Sequence, residues 1–416
     1  MEFQNLGLEM LFIWQAKTYF SQFKIRGSRK SEFVLREMEN RGQSFSVLNC
    51  IDLSSPDIHK SVSLLKQACL DSGFFYVINH GISQEFMDEV FAQSKRFFTL
   101  PLSEKMKHLR NEKHRGYTPV LDEVLDPEIK VPVNGSEGDY KEGYYIGVEV
   151  PEHDPKSEKP FYGQMSGLLQ IFFHCRVDRL PEWRQTMEKF HQEALEVAKA
   201  VARIIALALD LERDFFDKPE MLGDPIATLR LLHYEGGNQI EGQISDPLKG
   251  IYGAGAHSDY GLITLLATDD VLGLQICKDK DARPQTWEYV APLKGAFIVN
   301  LGDMLERWSN CIFKSTLHRV LVHGPERYSV RPLAIVGMVA VEALFGNSVD
   351  NGAKSAFHAQ IAYFVEPSHD CLVECLPTCK SDKNPPKFPP VKCGTYLTQR
   401  YKDTHADLNL YTKHQA

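Results

Sequence analysis

The stretch GAHSDYGLITLLATDDVLGLQI, residues 255–276, decides how this chain is read. Its two apolar runs, GLITLLAT (261–268) and GLQIC (273–277), are too short for helices and are bounded by Gly and Asp. That is the composition of short strands joined by turns. The same texture extends outward: ATLRLLHY (227–234) upstream, then WEYVAP (287–292), AFIVNLG (296–302) and IAYFVEP (361–367) downstream. Strands at this spacing, without intervening helices, predict an antiparallel sandwich or barrel after Pro225.

The N-terminal half reads differently. SVLNCIDLSS (46–55) predicts a short strand running into a helix cap. SVSLLKQACLDSG (61–73) is amphipathic, with Val62, Leu65, Cys69 and Leu70 near one face. FFYVINHGIS (74–83) predicts a strand ending at a glycine turn. A second amphipathic helix then opens on Ser83 as its cap and stops at Pro101. The segment from Trp183 to Leu211, rich in Ala, Leu and Glu with an apolar stripe, predicts the longest helix. The tail from 380 predicts a Pro-rich loop and a polar helix carrying Tyr396 and Tyr401.

Composition narrows the function. Hydrophobic residues make up 43% and charged residues 25%, as expected of a globular protein with a sizeable core. A net charge of −8 argues against a general nucleic-acid binder. No apolar run is long enough for a membrane span, and the N-terminus lacks a basic lead and a cleavage site, so a cytoplasmic protein is expected; a monomer acting on a small molecule is expected as well. The nine cysteines are irregularly spaced with no CxxC, and Cys371, Cys375 and Cys379 are read as free thiols.

The chemistry is carried by His257-Ser258-Asp259 and by His318 in KSTLHRV (314–320). In a strand, residues two apart share a face, so His257 and Asp259 would converge on one point. Two histidines and a carboxylate make a facial triad for non-haem iron(II), with positions left open. Arg327 and Ser329 would share a strand face, and a guanidinium with a hydroxyl is what the far carboxylate of a dicarboxylate needs. Tyr234 could add a phenolic hydrogen bond. Each residue also has a bland reading: His257 a loop histidine, Asp259 a turn cap, Arg327 a surface partner of Glu326. Their ordered spacing on a strand-rich background favours the site. His80 is read as structural, and His233, alternating with Tyr234, as facing away.

At these residues the chain resembles the plant-type 2-oxoglutarate/iron(II) dioxygenases related to isopenicillin N synthase. The likeness extends to GFFYVINHGIS (73–83), RFFTLPLSEK (96–105) and GAFIVNLGDMLERWSN (295–310). The resemblance implies a mixed α and β fold: a double-stranded β-helix (jelly-roll) core flanked by helices, with an N-terminal α/β unit. The expected layout is an unmatched extension (1–45), an N-terminal dioxygenase domain (46–160) and a connecting segment with the long helix (161–224). The jelly-roll core (225–370) and a C-terminal loop and helix (371–416) follow. His257, Asp259 and His318 take the iron positions, and Arg327, Ser329 and Tyr234 those that hold 2-oxoglutarate. Leu232 stands where relatives often carry an asparagine. The implied reaction consumes O2 and 2-oxoglutarate, releases succinate and CO2, and oxidises a small metabolite, with hydroxylation preferred and ascorbate a candidate reductant. Tyr117, Tyr144 and Phe364 are candidate pocket residues.

Three segments depart from the pattern. Residues 1–37 precede Met38, a natural start. Residues 163–183 replace an expected Asn-x-Trp-Pro segment, and residues 237–242 could be a small further insertion. Val330–Gln360 separates ERYS (326–329) from IAYFVEPS (361–368). Valine codons begin with GT and one glutamine codon is CAG, so this atypical insertion reads as a retained intron. Two alternatives stay open: a related oxidase that does not consume 2-oxoglutarate, and an inactive splice or gene-model variant acting at most as a binding protein.

Overall fold

The computed structural model describes residues 44–126, 138–163, 182–235, 245–269, 271–322 and 357–405. The predicted elements form close to their expected places. Strand β1 (Cys50–Asp52) leads into helix α1 (Ile58–Asp71), whose first turn is capped by the Asp57 carboxylate accepting from Lys60 N–H. Leu65, Ala68 and Cys69 give α1 its buried face. The helix ends where Gly73 takes a φ of +67°. A β-carbon there would stand 2.0 Å from the Lys314 carbonyl oxygen, so only glycine fits this turn. Strand β2 (Phe74–Ile78) follows, then helix α2 (Gln84–Phe98), with Ser83 accepting from Phe86 N–H as its cap.

Helix α3 (Trp183–Ala208) is the longest described element. Ala194, Ala198, Val201, Ala202 and Ile205 are wholly excluded from solvent, which lets it lie close against the sheet and α1. Two sheets make up the rest. The larger has eight strands in the order β1-β2-β10-β7-β12-β5-β4-β3. It adds β3 (Gly116–Thr118), β4 (Glu142–Gly147), β5 (Ile226–Glu235), β7 (Ile263–Thr268), β10 (Phe297–Leu301) and β12 (Phe357–Glu366). The smaller runs β6-β11-β8-β9 and is built from β6 (Ala254–His257), β8 (Leu274–Cys277), β9 (Glu288–Tyr289) and β11 (Leu317–Val320). Every pairing within these two sheets is antiparallel except β1 with β2. This is the jelly-roll core expected from the sequence.

Alternation along the large sheet separates two cores. Leu229, Leu231, Leu265, Val299, Ile361 and Tyr363 face the helices. Leu232, Tyr234, Leu266, Ile298 and Ala362 face inward, where they meet Ala254, Leu274, Ile276 and Val320 of the small sheet. The site lies on this inner side. No helix among the described residues is long and apolar enough to cross a membrane. Cys371, Cys375 and Cys379 are free, buried thiols.

One strand begins earlier than expected. The sequence predicts its start at Ile361, the first residue after an atypical insertion. The structure starts β12 at Phe357, because Phe357–Gln360 pair residue by residue with Leu232–Glu235 of β5. The last four residues of that segment are therefore strand.

Candidate active site

His257 closes β6 and stands directly opposite His318 on β11, each the other's ladder partner. Their ring centroids are 4.3 Å apart. Asp259 lies two residues beyond the end of β6, so it reaches the site through a turn and not by strand alternation. Its backbone carbonyl accepts from Asp303 N–H at 2.8 Å, at the start of helix α4 (Asp303–Trp308). Asp259 Oδ1 then sits 3.8 Å from His257 Nε2 and 3.6 Å from His318 Nε2. Among the described residues this trio is the one His/Cys/Asp/Glu cluster close enough to share a metal ion, its ligand atoms all within 4.8 Å of one another.

The surroundings of these donors suit a divalent cation. His257 Nδ1 is 2.7 Å from the Gly255 carbonyl and His318 Nδ1 is 3.1 Å from that of Thr316. Each ring thus donates through Nδ1–H and turns the Nε2 lone pair toward Asp259. Asp259 Oδ2 accepts from Thr264 Oγ1 and Asn300 Nδ2, both at 2.6 Å, which leaves Oδ1 for the metal. Burial, reinforced by the neighbouring His318, holds His257 down to about 3, so its lone pair is available. Burial works against the Asp259 carboxylate, but His318, His257, Asn300 and Thr264 together hold its pKa below the usual value. Thr264 on β7 and Asn300 on β10 were missed in the sequence. Each is an ordinary strand residue, and only the β7–β10 pairing, which sets them opposite one another, gives them this task.

Tyr234 lies on the inner face of β5 as expected, buried, with its hydroxyl donating to Gln360 Oε1 at 2.9 Å. Arg327 and Ser329 lie outside the described residues, as do residues 1–37, 237–242 and most of 163–183. His233 faces away, bonded to Glu142 at 2.7 Å and stacked on Phe98. His80 is structural: Nε2 is 3.1 Å from the Gly295 carbonyl and Nδ1 accepts from Ile82 N–H. Phe364 packs against the inner core. Tyr117 and Tyr144, expected in the pocket, sit instead in the helix-side core around Phe97. Their neighbour Tyr145 turns the other way, its hydroxyl 2.9 Å from His405 Nε2 and its ring under the Arg230 guanidinium. Arg230 grips both oxygens of Glu123, and Tyr401 from helix α5 (Cys393–Thr404) stacks on His405 and borders Tyr260, the residue after Asp259.

Two family profiles match the chain. One, non-haem dioxygenase in morphine synthesis N-terminal, covers residues 48–166. The other, the 2OG-Fe(II) oxygenase superfamily, covers residues 227–331. Azadirone synthase of Melia azedarach is 45% identical over 367 residues, which span 88% of this chain and 96% of that one. Kihadalactone A synthase of Citrus sinensis is 45% identical over 360 residues, 86% of this chain and 93% of its own. Among solved structures, a full-length Neurospora crassa protein in complex with alpha-KG superposes with a TM-score of 0.63 at 26% identity, covering 86% of this chain and 96% of that chain.

Proposed function

Since the chain belongs to the 2OG-Fe(II) oxygenase superfamily and is a 2-oxoglutarate-dependent dioxygenase of small metabolites, we propose that His257, Asp259 and His318 hold its iron and that it hydroxylates its substrate. The observation that carries the assignment is the convergence of two Nε2 lone pairs and one carboxylate oxygen, each fixed from behind by its own hydrogen bonds. Iron(II), when bound, supplies the dioxygen and 2-oxoglutarate chemistry that no side chain can perform. The protein's part is to orient the ligands, keep the site dry and position the substrate. Tyr234 belongs to this proposal as a residue that faces 2-oxoglutarate, with Arg327 and Ser329 as its partners in the register the resemblance implies, where Ser329 leads directly into Ile361. So does the division into an N-terminal unit (46–160), a connector (161–224), a jelly-roll core (225–370) and a C-terminal helix (371–416).

Tyr260 follows Asp259 in the chain, Tyr401 and Tyr145 continue from it through ring contacts, and Arg230 lies over Tyr145; these four are proposed to bound the substrate. Three aromatic rings and one partnered guanidinium suit an apolar skeleton carrying an oxygen function. The relatives named for making azadirone and kihadalactone A support a specialised plant metabolite of that kind. The test is succinate release from 2-oxoglutarate across a panel that includes the precursors of both compounds. Succinate formed in step with one hydroxylated product is expected. A product formed without succinate would favour the related oxidase. The reading also has the enzyme acting as a cytoplasmic monomer on a free small molecule, which sedimentation of the purified chain and imaging of a tagged one would check.

A further inference from the structure

Strand β12 pairs with β5 in a register that sets His358 opposite Tyr234 and Gln360 opposite Leu232. Gln360 also faces Thr268 on β7. Alternation puts His358 and Gln360 on the same face as Ala362 and Phe364, which belong to the inner core. The void they share with Tyr234, Val320 and Val322 measures about 20 Å³, and among the described residues no Arg or Lys lines it. That is space for about one water molecule, not for a five-carbon dicarboxylate. The Tyr234 hydroxyl is already committed to Gln360 Oε1.

The register fixes which residues a shorter chain would bring to these two positions. In a chain joined from Ser329 directly to Ile361, the residues before Ile361 are Glu326, Arg327, Tyr328 and Ser329. They would take, in order, the places of Phe357, His358, Ala359 and Gln360. Arg327 would fall at the position of His358 and Ser329 at that of Gln360, both on the inner face. A guanidinium offers a carboxylate two parallel charged donors, and a serine hydroxyl adds a third. An imidazole has no such fork, and the Gln360 carboxamide fills the space while occupying Tyr234.

We propose that His358 and Gln360 obstruct the cosubstrate end of the site, so that this chain binds 2-oxoglutarate more weakly than a form in which Arg and Ser hold those two positions. The proposal rests on the reading that the triad binds iron and that 2-oxoglutarate reaches it from the Tyr234 side. His358 and Gln360 then set cosubstrate affinity from positions that are not metal ligands.

The test compares three proteins: the full chain, the full chain with His358→Arg and Gln360→Ser, and the chain lacking 330–360. Each is loaded with iron(II) under anaerobic conditions and titrated with 2-oxoglutarate, read by calorimetry and by the visible absorbance of the bound keto acid. Iron(II) affinity is measured separately. The two altered proteins are expected to bind 2-oxoglutarate about ten- to a hundredfold more tightly than the full chain, the gain of charge-assisted hydrogen bonds to one carboxylate, with iron affinity unchanged. Equal affinity in all three would overturn the proposal and leave the family reading standing. Loss of iron binding in all three would instead strike the triad assignment. The double substitution is the control for a deletion that fails to fold.

Discussion

Asn300 and Asp259 are 41 residues apart in the chain, yet the Asn300 amide nitrogen lies 2.6 Å from Asp259 Oδ2. With Thr264 at the same distance on the same oxygen, it decides which carboxylate oxygen faces the two histidines. Replacing Asn300 with Leu keeps the volume and removes the donor. Iron(II) affinity should fall by about ten- to a hundredfold, as for other partners that orient a metal ligand, while the midpoint of thermal unfolding of the metal-free protein changes little. Titration with cobalt(II) as an air-stable probe would measure this, and unchanged affinity would remove Asn300 from the site.

Gly302 controls the same aspartate from the backbone side. A β-carbon on it would stand 2.3 Å from the Gly261 carbonyl oxygen, in the turn that follows Asp259. Gly302 also donates to the Leu262 carbonyl at 3.1 Å, and its neighbour Asp303 donates to that of Asp259. Gly302→Ala must push two backbones apart, at a cost of about 1–3 kcal/mol. Because the strain falls on the turn that aims Asp259, metal affinity should drop together with stability. A variant that loses stability but binds metal normally would show that the turn yields on its far side.

How much of this was legible beforehand depended on whether a residue's role was local. His257, Asp259 and His318 could be picked out because their chemistry is rare and sits beside strand patterns. The orientation of His233 away from Tyr234 followed from alternation alone. Asn300 and Thr264 could not be found, since their function exists only once β7 and β10 pair. Tyr144, a candidate pocket residue by sequence, packs on the helix side, because both faces of β4 are buried and no polar-apolar alternation in EGYYIG marks which tyrosine turns inward. The early start of β12 was hidden for a related reason. FHAQ carries no strand signature, and the full length of β5 recruits it.

Burial of neutral histidines gives the metal-free protein an acid limit. Burial, helped by Lys107 and opposed by Glu104, holds His108 at about 4, below an ordinary value of 6.5. Burial likewise holds His405 at about 3, against the pull of Glu123. Between pH 6.5 and 4 the unfolded chain takes up a proton at each that the folded chain refuses. Stability therefore rises with pH across that window and falls as pH drops, by about 1.4 kcal/mol per pH unit for each such histidine. His108 Nδ1 is buried with no hydrogen-bond partner among the described residues. His108→Phe should accordingly flatten the slope by about one histidine's share without loss of stability at neutral pH, as read from urea midpoints at several pH values. A slope equal to that of the parent would mean that His108 is protonated in the folded state.

Arg230 offers a test of whether the buried charged cluster around Glu123 is coupled. Its two terminal nitrogens lie 3.1 and 2.8 Å from the two oxygens of Glu123, and its guanidinium is 4.4 Å from the centre of the Tyr145 ring. Lys141 joins the same carboxylate at 2.8 Å, and all three charged side chains are less than a tenth exposed. Arg230→Met deletes the fork and leaves Glu123 to Lys141 and His405, so unfolding free energy should fall by about 3–5 kcal/mol, the cost of breaking a buried pair from one side. Glu123→Gln alone strands the guanidinium and should cost a comparable amount. The double variant removes both charges, and it should be less destabilised than the sum of the two singles by about 1–3 kcal/mol, the range found for residues in direct contact. Strict additivity in urea unfolding would mean that Lys141 and His405 already satisfy Glu123 and that Arg230 is held by Tyr145 alone. Iron(II) affinity should be unaltered in all three variants, because the cluster touches none of the triad's ligand atoms.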